Sequence, residues 1–384
     1  MAQWNRVSLI DYIELIGGGT PKTTVPEYWN GNIPWLSVKD FNNDKRYVYS
    51  TEKHISQSGF ENSPTKMLHK DDIIISARGT VGEIAMIPFD MAFNQSCYGI
   101  RASRGIDQPF LYYLLKNCIS QLKRMTHGSV FDTITRDTFA NIEVDIPDAE
   151  TQKRISSVLA DIDNKIEVND AINDNLQQQA AALFSSLYDR SNTEVRFTDL
   201  IQILGGGTPK TGENTYWNGN IAFFTPKDVG IPYTLITEKT ISKEGLSHCN
   251  SRLYPVNTVF VTARGTVGKV GMSGVPMAMN QSCYALVGKE THQLLVYFYT
   301  LKAVDRLKHK ASGAVFDAIT TRDFESEQIM KLSDDDATAF LRVAEPMFQE
   351  VLNNNIENLR LSTLRDSLLP KLMSGEIDVS AVQL

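Results

Sequence analysis

The sequence is poor in the residues that build disulfide frameworks and metal sites. It contains 4 cysteines and 6 histidines, and neither type forms a C-x-x-C or H-E-x-x-H pattern. Sparse cysteines without such pairing are typical of reduced core thiols. We therefore expect neither a disulfide scaffold nor a metal site in this chain.

Long apolar runs are also missing. No uninterrupted stretch reaches the roughly 18 apolar residues that a membrane-spanning helix needs. The N-terminal segment mixes polar side chains such as Asn5, Arg6 and Asp11 into its apolar residues, which excludes the core of a signal peptide. We therefore expect no contact with a membrane and a cytoplasmic location.

The chain has no excess of positive charge. Its 38 basic side chains are outnumbered by 45 acidic ones, and the net charge of -7 at first argues against a nucleic-acid partner. The acidity is concentrated in two segments, however. Residues 149–192 carry 4 basic and 7 acidic side chains, and residues 334–384 carry 4 and 9, which gives -3 and -5. The rest of the chain is near +1 and could approach DNA if its basic residues cluster.

Recognisable catalytic motifs are absent too. The segment Gly17–Thr23 superficially resembles a phosphate-binding loop, but Pro21 stands where the G-x-x-x-x-G-K-[ST] pattern needs glycine. Asp148, Glu150 and Lys153 suggest a nuclease site, yet their spacing would aim the last two at opposite faces of a strand. They are better explained as the acidic, capped start of a helix. We predict no catalytic residues.

An internal repeat organises the whole chain. Six segments return in the same order, at an offset that falls from 188 residues (205 − 17) to 185 residues (315 − 130). The matched pairs are Gly17–Thr23 and Gly205–Thr211, Tyr28–Ile33 and Tyr216–Ile221, Lys39-Asp40 and Lys227-Asp228, Ala77–Gly82 and Ala263–Gly268, Asn94–Tyr98 and Asn280–Tyr284, and Val130–Asp132 and Val315–Asp317. The chain is therefore a tandem duplication.

Each copy consists of a compact α+β part and a long helical part. The first part alternates turn residues with short β-branched runs, and helices are expected at Phe110–Lys123 and Gln293–Lys308. We predict recognition module 1 at residues 1–150 and recognition module 2 at residues 191–335. Spacer helices are predicted at residues 151–190 and 336–384.

Both helical parts show the alternating four- and three-residue spacing of a coiled-coil seam. The first seam is predicted at Ile155, Leu159, Ile162, Ile166, Asn169, Asn173, Leu176, Ala180, Leu183 and Leu187, and the second at Phe340, Ala344, Met347, Val351, Ile356, Leu359, Leu364 and Leu368. Each helix would be about 50 Å long, which exceeds one module. The duplication favours an antiparallel pair related by a pseudo-two-fold axis, and the asparagines in the middle would favour one register.

Two repeated loops are candidates for DNA contact, and each has a structural alternative. The glycine-rich loops, Gly17–Thr23 and Gly205–Thr211, could offer N–H groups, hydroxyls and a lysine to phosphate, or could simply permit tight packing. The arginine turns, Ala77–Gly82 and Ala263–Gly268, could present an arginine to phosphate or guanine. Alternatively, the two arginines form ion pairs with Asp132 and Asp317 within the modules.

Positions that differ between the copies are where different bases would be read, as in Leu36–Val38 against Phe224–Pro226. The residues that we predict to contact DNA are Lys22, Thr23, Ser37, Lys39, Arg78, Thr80, Lys210, Thr211, Thr225, Lys227, Arg264 and Thr266. The residues that we predict to form the coiled coil and to dock partner proteins are Ile155, Leu159, Ile162, Ile166, Leu176, Leu183, Phe340, Met347, Val351, Leu359 and Leu368.

Taken in order, these motifs resemble the specificity subunits of type I restriction–modification systems. The resemblance covers essentially the whole chain. It rests on the Gly-Gly-Thr-Pro to Ile-Pro-Trp segment at Gly18–Trp35, the arginine turn, Gln152–Ile155 at the start of the first helix, and Leu368–Ile377 at the end of the second. One departure is the Ala222-Phe223 pair, which stands where the first copy has Pro34-Trp35.

The resemblance implies two DNA target-recognition domains that each read half of a bipartite site on double-stranded DNA. It implies that two adenine-methyltransferase subunits, which use S-adenosylmethionine, dock on this chain, and that a motor-nuclease subunit can join them. This chain itself would need no cofactor. Two other hypotheses stay open at this point, a duplicated ligand-binding or adaptor protein and a self-sufficient DNA-modifying enzyme.

Overall fold

The chain folds into two compact units, Met1–Glu167 with Leu359–Leu384 and Val168–Asn358. The computed structural model describes residues 4–126, 133–230, 232–310 and 317–379. The repeated Val-Phe-Asp segment lies outside these residues at Val130–Asp132 in the first copy and at Val315-Phe316 in the second, whereas Asp317 is described.

The first unit contains ten strands and four short or medium helices in its described part. The strands are β1 (Asn5–Ser8), β2 (Ile13–Gly17), β3 (Trp29–Leu36), β4 (Lys53–Ile55), β5 (Met67–Leu68), β6 (Ile73–Ser76), β7 (Ile84–Met86), β8 (Met91–Phe93), β9 (Cys97–Ala102) and β10 (Glu143–Ile146). The helices are α1 (Val38–Phe41), α2 (Gln57–Glu61), α3 (Gln108–Thr126) and α4 (Arg136–Ala140).

These strands form two four-stranded sheets and a separate antiparallel pair. One sheet has the order β2-β9-β6-β7 and is antiparallel throughout, and the other has the order β4-β3-β8-β5 with β3 and β8 parallel. Strand β6 is buried on both faces. Ile73 and Ile75 join the core beneath α3, whereas Ile74 joins a second core with Met91 and Phe93 of the other sheet. This alternation is the two-residue period of a strand.

The second unit repeats this architecture. Its strands are β11 (Thr193–Arg196), β12 (Ile201–Gly205), β13 (Trp217–Phe224), β14 (Tyr233–Thr234), β15 (Lys239–Ile241), β16 (Val259–Thr262), β17 (Val270–Ser273), β18 (Met277–Met279), β19 (Cys283–Gly288) and β20 (Gln328–Lys331). Its sheets have the orders β12-β19-β16-β17-β14 and β15-β13-β18, beside the pair β11-β20. The extra strand β14 pairs with β17 as Tyr233 with Met272, and in the first unit the same contact is the single bridge between Tyr47 and Met86.

Two long helices, α5 (Ala149–Asp189) and α10 (Asp334–Met373), contribute to both units. The remaining helices of the second unit are α6 (Phe197–Leu200), α7 (Lys243–Ser247), α8 (Gln293–Lys310) and α9 (Thr321–Ser326). Asp148 caps α5 by accepting hydrogen bonds from the N–H and the hydroxyl of Thr151, both at 2.9 Å. The helices expected from the sequence are present. Helices α3 and α8 extend a few residues beyond their predicted bounds, and α5 matches its predicted bounds to within two residues. Helix α10 ends at Met373, before the predicted residue 384, and Gly375 follows with a φ of 72°, which is typical of a helix end.

The predicted α+β fold with two long packed helices is confirmed. In the first unit, the beginning of α5 and the end of α10 share a core that includes Ile155, Leu159, Leu369 and Leu372. In the second unit, the end of α5 and the beginning of α10 share another core, with Phe184 at its centre. Because the start of each helix packs beside the end of the other, the two helices run antiparallel.

Two absences concern the described residues alone. Across the described ranges, no helix combines the length and the apolar character needed to cross a membrane. Within the same ranges, histidine, cysteine and carboxylate side chains form no group of three that could hold a metal ion.

Candidate nucleic-acid interface

The arginine turn is held by backbone hydrogen bonds and exposes one arginine. In the first unit the N–H groups of Ala77 and Arg78 both donate to the Ser96 carbonyl, at 2.8 and 3.2 Å. Gly79 and Gly82 have φ angles of 79° and 85°, a region that strongly favours glycine. The tight turn leaves Arg78, Gly79 and Thr80 exposed at its tip.

The second copy reproduces this turn. Ala263 and Arg264 donate to the Ser282 carbonyl at the same 2.8 and 3.2 Å, and Arg264 is exposed. The carbonyl of Ala263 also accepts a hydrogen bond from the Ile319 N–H at 3.0 Å, and among the described residues no ion pair joins Arg264 to Asp317. The described residues therefore give no support to the ion-pair alternative for Arg264. For Arg78 its predicted partner Asp132 lies outside the described residues.

The two hydroxyl residues that differ between the copies hold the loop that carries the next lysine. The N–H and hydroxyl of Ser37 donate to Asp40 Oδ2 at 2.7 and 2.9 Å, and those of Thr225 donate to Asp228 Oδ2 at 2.8 and 2.6 Å. The other oxygen of each aspartate accepts a backbone N–H from the following strand region. Ser37 and Thr225 therefore position their loops, which leave Lys39 and Lys227 exposed, and their contact with DNA stays a prediction.

The glycine-rich loop is held by close backbone packing. A Cβ atom on Gly18 would lie 2.1 Å from the Asn94 carbonyl oxygen, and one on Gly206 would lie 2.2 Å from the Asn280 carbonyl oxygen. Trp29 donates its indole N–H to the Lys22 carbonyl at 3.3 Å, as Trp217 does to the Lys210 carbonyl. These contacts support the alternative in which the glycines permit tight packing.

The ends of both glycine-rich loops remain exposed. The exposed side chains are Lys22 and Thr23 in the first copy and Lys210 and Thr211 in the second. Thr266, in the second arginine turn, is also exposed but donates to the Pro226 carbonyl at 3.2 Å. Their role in phosphate binding stays a prediction.

Sequence reasoning missed one lysine in each copy. Lys53 Nζ lies 5.7 Å from the centre of the Trp29 ring, and Lys239 Nζ lies at the same distance from the Trp217 ring. Such a cation–π contact orients a lysine while leaving its charge available. A signal was present in the sequence, because Thr51–Ser56 returns almost unchanged as Thr237–Ser242.

In the second unit several of these residues line one open cavity of about 370 Å³. Its lining includes Thr225, Lys227, Lys239, Arg264, Asn280 and Ser282. Three cations thus face the same space together with one acidic lining residue, Glu238, whose carboxylate lies 3.7 Å from Lys227 Nζ in a largely exposed pair. Clustered cations beside an amide and hydroxyls suit phosphate oxygens and base edges. Lys210 and Thr211 do not line this cavity.

The coiled-coil residues predicted from the sequence are buried or half-buried. Ile155, Leu159, Phe340 and Val351 are buried, and the remaining seven are partly covered: Ile162, Ile166, Leu176, Leu183, Met347, Leu359 and Leu368. The prediction for Leu364 is wrong, because its side chain is 47% exposed. Arg365, only 3% exposed, occupies the seam at this level instead. The spacing rule placed an apolar residue where the helix buries a charged one.

Asparagines form a hydrogen-bonded layer between the two helices in the second unit. Asn169 donates to Asn358 at 2.8 Å, and Asn354 donates to Asn173 at 2.9 Å. Asn173 in turn donates to Asn355 at 3.0 Å. A shift of either helix would leave these buried amides without partners, so the layer supports the predicted role of the asparagines in setting the register.

A second polar cluster lies in the first unit. Arg365 donates to Asp163 and to Asp44, both at 2.9 Å, and Tyr113 donates to the other oxygen of Asp163 at 2.7 Å. Burial by itself lowers the pKa of Arg365, but hydrogen bonds to Asp366 and Asp163 outweigh it and raise the net pKa above its usual value. Burial, and then the Asp163 carboxylate, raise the pKa of Tyr113. Arg365 stays charged and Tyr113 stays protonated at any ordinary pH.

Comparison with known proteins decides the family. A family model described as the type I restriction modification DNA specificity domain matches residues 1–178 and 190–331, one match for each copy. The chain belongs to this family. It is the non-catalytic specificity subunit of a type I restriction–modification system, as its motifs predicted.

Full-length relatives agree with this assignment. The specificity subunit is 24% identical to the MjaIX specificity subunit of Methanocaldococcus jannaschii, over 98% of this chain and 94% of that protein. It is also 24% identical to the HindI specificity subunit of Haemophilus influenzae, over 98% and 100%. The crystal structure of the S subunit from M. genitalium has a TM-score of 0.59 at 15% identity, over 97% and 96%, and so shares the fold.

Proposed function

We propose that each recognition module reads one half of a bipartite double-stranded DNA site through its arginine turn and neighbouring lysines. The observation that carries this proposal is that both units present the same exposed arginine on the same hydrogen-bonded turn. Arginine can bind guanine through two hydrogen bonds, and lysines on the surrounding loops would contact phosphates.

The long helices would set the distance between the two half-sites and dock two adenine-methyltransferase subunits. S-adenosylmethionine would be bound by those subunits, and this chain would hold no cofactor of its own. A motor-nuclease subunit would join the assembly for restriction. Such an assembly acts on cellular DNA, which is consistent with a cytoplasmic location.

Methylation mapping at single-base resolution tests the proposal. Cells would express this chain with its neighbouring methyltransferase subunit, and we expect a bipartite motif with modified adenine on each strand that is absent without this chain. No new motif, despite a stable complex and an active methyltransferase, would return the adaptor hypothesis to first place.

Variants in one module sharpen the test. Arg264→Ala should weaken discrimination in one half of the motif, by about 10- to 100-fold per lost guanine contact, and leave the other half intact. Lys289→Ala is a matched control, because Lys289 is an exposed cation of the same unit that donates to the Thr198 carbonyl. Equal effects of both variants on both half-sites would contradict the assignment of Arg264 to base reading.

A further inference from the structure

The long helices are copies of each other, so every position in α5 has an equivalent in α10. Their first residues, Ala149 and Asp334, give an offset of 334 − 149 = 185. The same offset relates α3 to α8, because Gln108 and Gln293 begin these helices. The buried surroundings of equivalent positions in the two units can therefore be compared directly.

At one set of equivalent positions the two units use opposite chemistry. The first unit buries the polar cluster of Tyr113, Asp163 and Arg365, in which both charged side chains are 4% exposed. Adding or subtracting the offset gives the equivalent residues in the second unit, and these are Phe298, Phe348 and Ala180.

The second unit is apolar at this level. Phe298 stacks on Phe184 with ring centres 4.9 Å apart, and it meets Phe348 edge-on at 5.5 Å. Ala180 is completely buried in the same core, where a small side chain leaves room for the aromatic rings. The fully buried carboxylate of this unit, Glu327, pairs with Arg306 and Lys310 and with none of these three residues.

We propose that this asymmetry makes α5 pair with α10 and prevents either helix from pairing with its own copy in a second chain. An α5–α5 pair would place Ala180 opposite Asp163 and leave a buried carboxylate without its guanidinium. An α10–α10 pair would place Arg365 among Phe298 and Phe348. Each mismatch disfavours the wrong pair roughly a hundredfold or more, because it buries an unpaired charge.

The asparagine layer cannot make this choice. Asn169 and Asn354 are equivalent, as are Asn173 and Asn358, so a helix paired with its own copy would still match asparagine with asparagine. The asparagines therefore set the register of the pair, whereas the cluster around Arg365 selects the partner. The inference concerns association of this chain with itself and does not depend on DNA reading.

The test makes the two units equivalent in the full-length chain. One variant, Tyr113→Phe with Asp163→Phe and Arg365→Ala, copies the apolar residues into the first unit. The reverse variant, Phe298→Tyr with Phe348→Asp and Ala180→Arg, copies the polar cluster into the second. Two versions of each protein with different affinity tags would be unfolded together and refolded over a range of protein concentrations. Affinity purification through one tag then measures how much of the chain with the other tag co-purifies.

We expect roughly ten times more of the second tagged chain to co-purify with the folded symmetric variants than with the original protein. Tyr113→Phe alone is the matched control, because it keeps the Asp163–Arg365 pair and should mix no more than the original protein. A symmetric variant that folds, by circular dichroism, but mixes no more than the original would overturn the proposal.

A single substitution keeps the inference testable if both symmetric variants fail to fold. Ala180→Arg alone reproduces the surroundings that Arg365 would meet in an α10–α10 pair. We expect this variant of the full-length chain to melt well below the original protein. An unchanged melting temperature would show that the second unit tolerates the charge, and the proposed barrier would then not exist.

Discussion

Replacing Gly18 with alanine should destabilise the first unit far more than replacing its neighbour Gly17. A Cβ atom on Gly18 would lie 2.1 Å from the Asn94 carbonyl oxygen and 2.6 Å from Phe93 Cδ2, whereas a Cβ on Gly17 meets nothing within 4 Å. The Phe93 carbonyl also accepts the Gly19 N–H at 3.0 Å, so this backbone cannot move away without losing a hydrogen bond. The clash is therefore between two fixed stretches of main chain.

The expected cost of Gly18→Ala is about 3 kcal/mol of unfolding free energy, the upper end for overpacking a tight contact. Gly17→Ala should be neutral or stabilising by up to about 1 kcal/mol, because alanine restricts the unfolded chain. Denaturant unfolding followed by tryptophan fluorescence measures both, since three of the 4 tryptophans, Trp4, Trp29 and Trp35, belong to the first unit.

The second copy repeats the experiment within the same molecule. Gly206→Ala should be costly and Gly205→Ala tolerated, because only the first would meet the Asn280 carbonyl oxygen. Equal unfolding midpoints for Gly18→Ala and Gly17→Ala would refute the packing explanation of the glycine run. Loss of DNA affinity by Gly17→Ala at unchanged stability would instead favour a direct backbone contact with phosphate.

Three further outcomes are expected. Inserting four residues into each long helix, at the boundary between the two units, lengthens each helix by about 6 Å. The unspecified DNA between the two half-sites should then widen by roughly two base pairs, which methylation mapping would detect. An unchanged distance between the half-sites would contradict the role of the helices in setting that distance. Burial raises the pKa of the Cys97 and Cys283 thiols to about 12 and that of the Cys118 thiol to about 11, so the unfolded chain releases these protons first as the pH rises. The free energy of unfolding should therefore fall above pH 9, by about 1 kcal/mol per buried thiol at pH 10. Denaturation at pH 8 and pH 10 measures this change, and equal stability at the two pH values would contradict it. Phe184→Ala should lower the free energy of unfolding by about 3 to 5 kcal/mol, because Phe184 is 1% exposed among four other aromatic rings. Thermal melting measures the loss, and Leu364→Ala, at an exposed position, is the control.

The duplication made most of the architecture predictable. Once Gly17–Thr23 and Ala77–Gly82 are seen to return in order, any fold of the first copy has to be found again in the second. The long helices followed from apolar spacing without glycine or proline over Gln152–Tyr188. These inferences succeed because side-chain periodicity is a local property of helices and strands.

The candidate interface was only partly visible in the sequence. The arginine turns were found because they are repeated and flanked by glycine, but whether Arg264 is exposed or paired depends on Asp317, more than 50 residues away. Lys53 and Lys239 were missed because their importance comes from lying over a tryptophan ring, and that contact arises only when separate strands are brought together.

What the sequence determined by itself was the repeat, the class of fold and the family, since these depend on patterns along the chain. What only the tertiary structure decided was the chemistry of individual buried positions. Spacing predicted Leu364 in the helix seam, yet Arg365 is buried there, because Asp163 and Asp44 lie close enough to pair with its guanidinium. A charge becomes acceptable in a core only when its partner is in place, and that partner comes from a distant part of the chain.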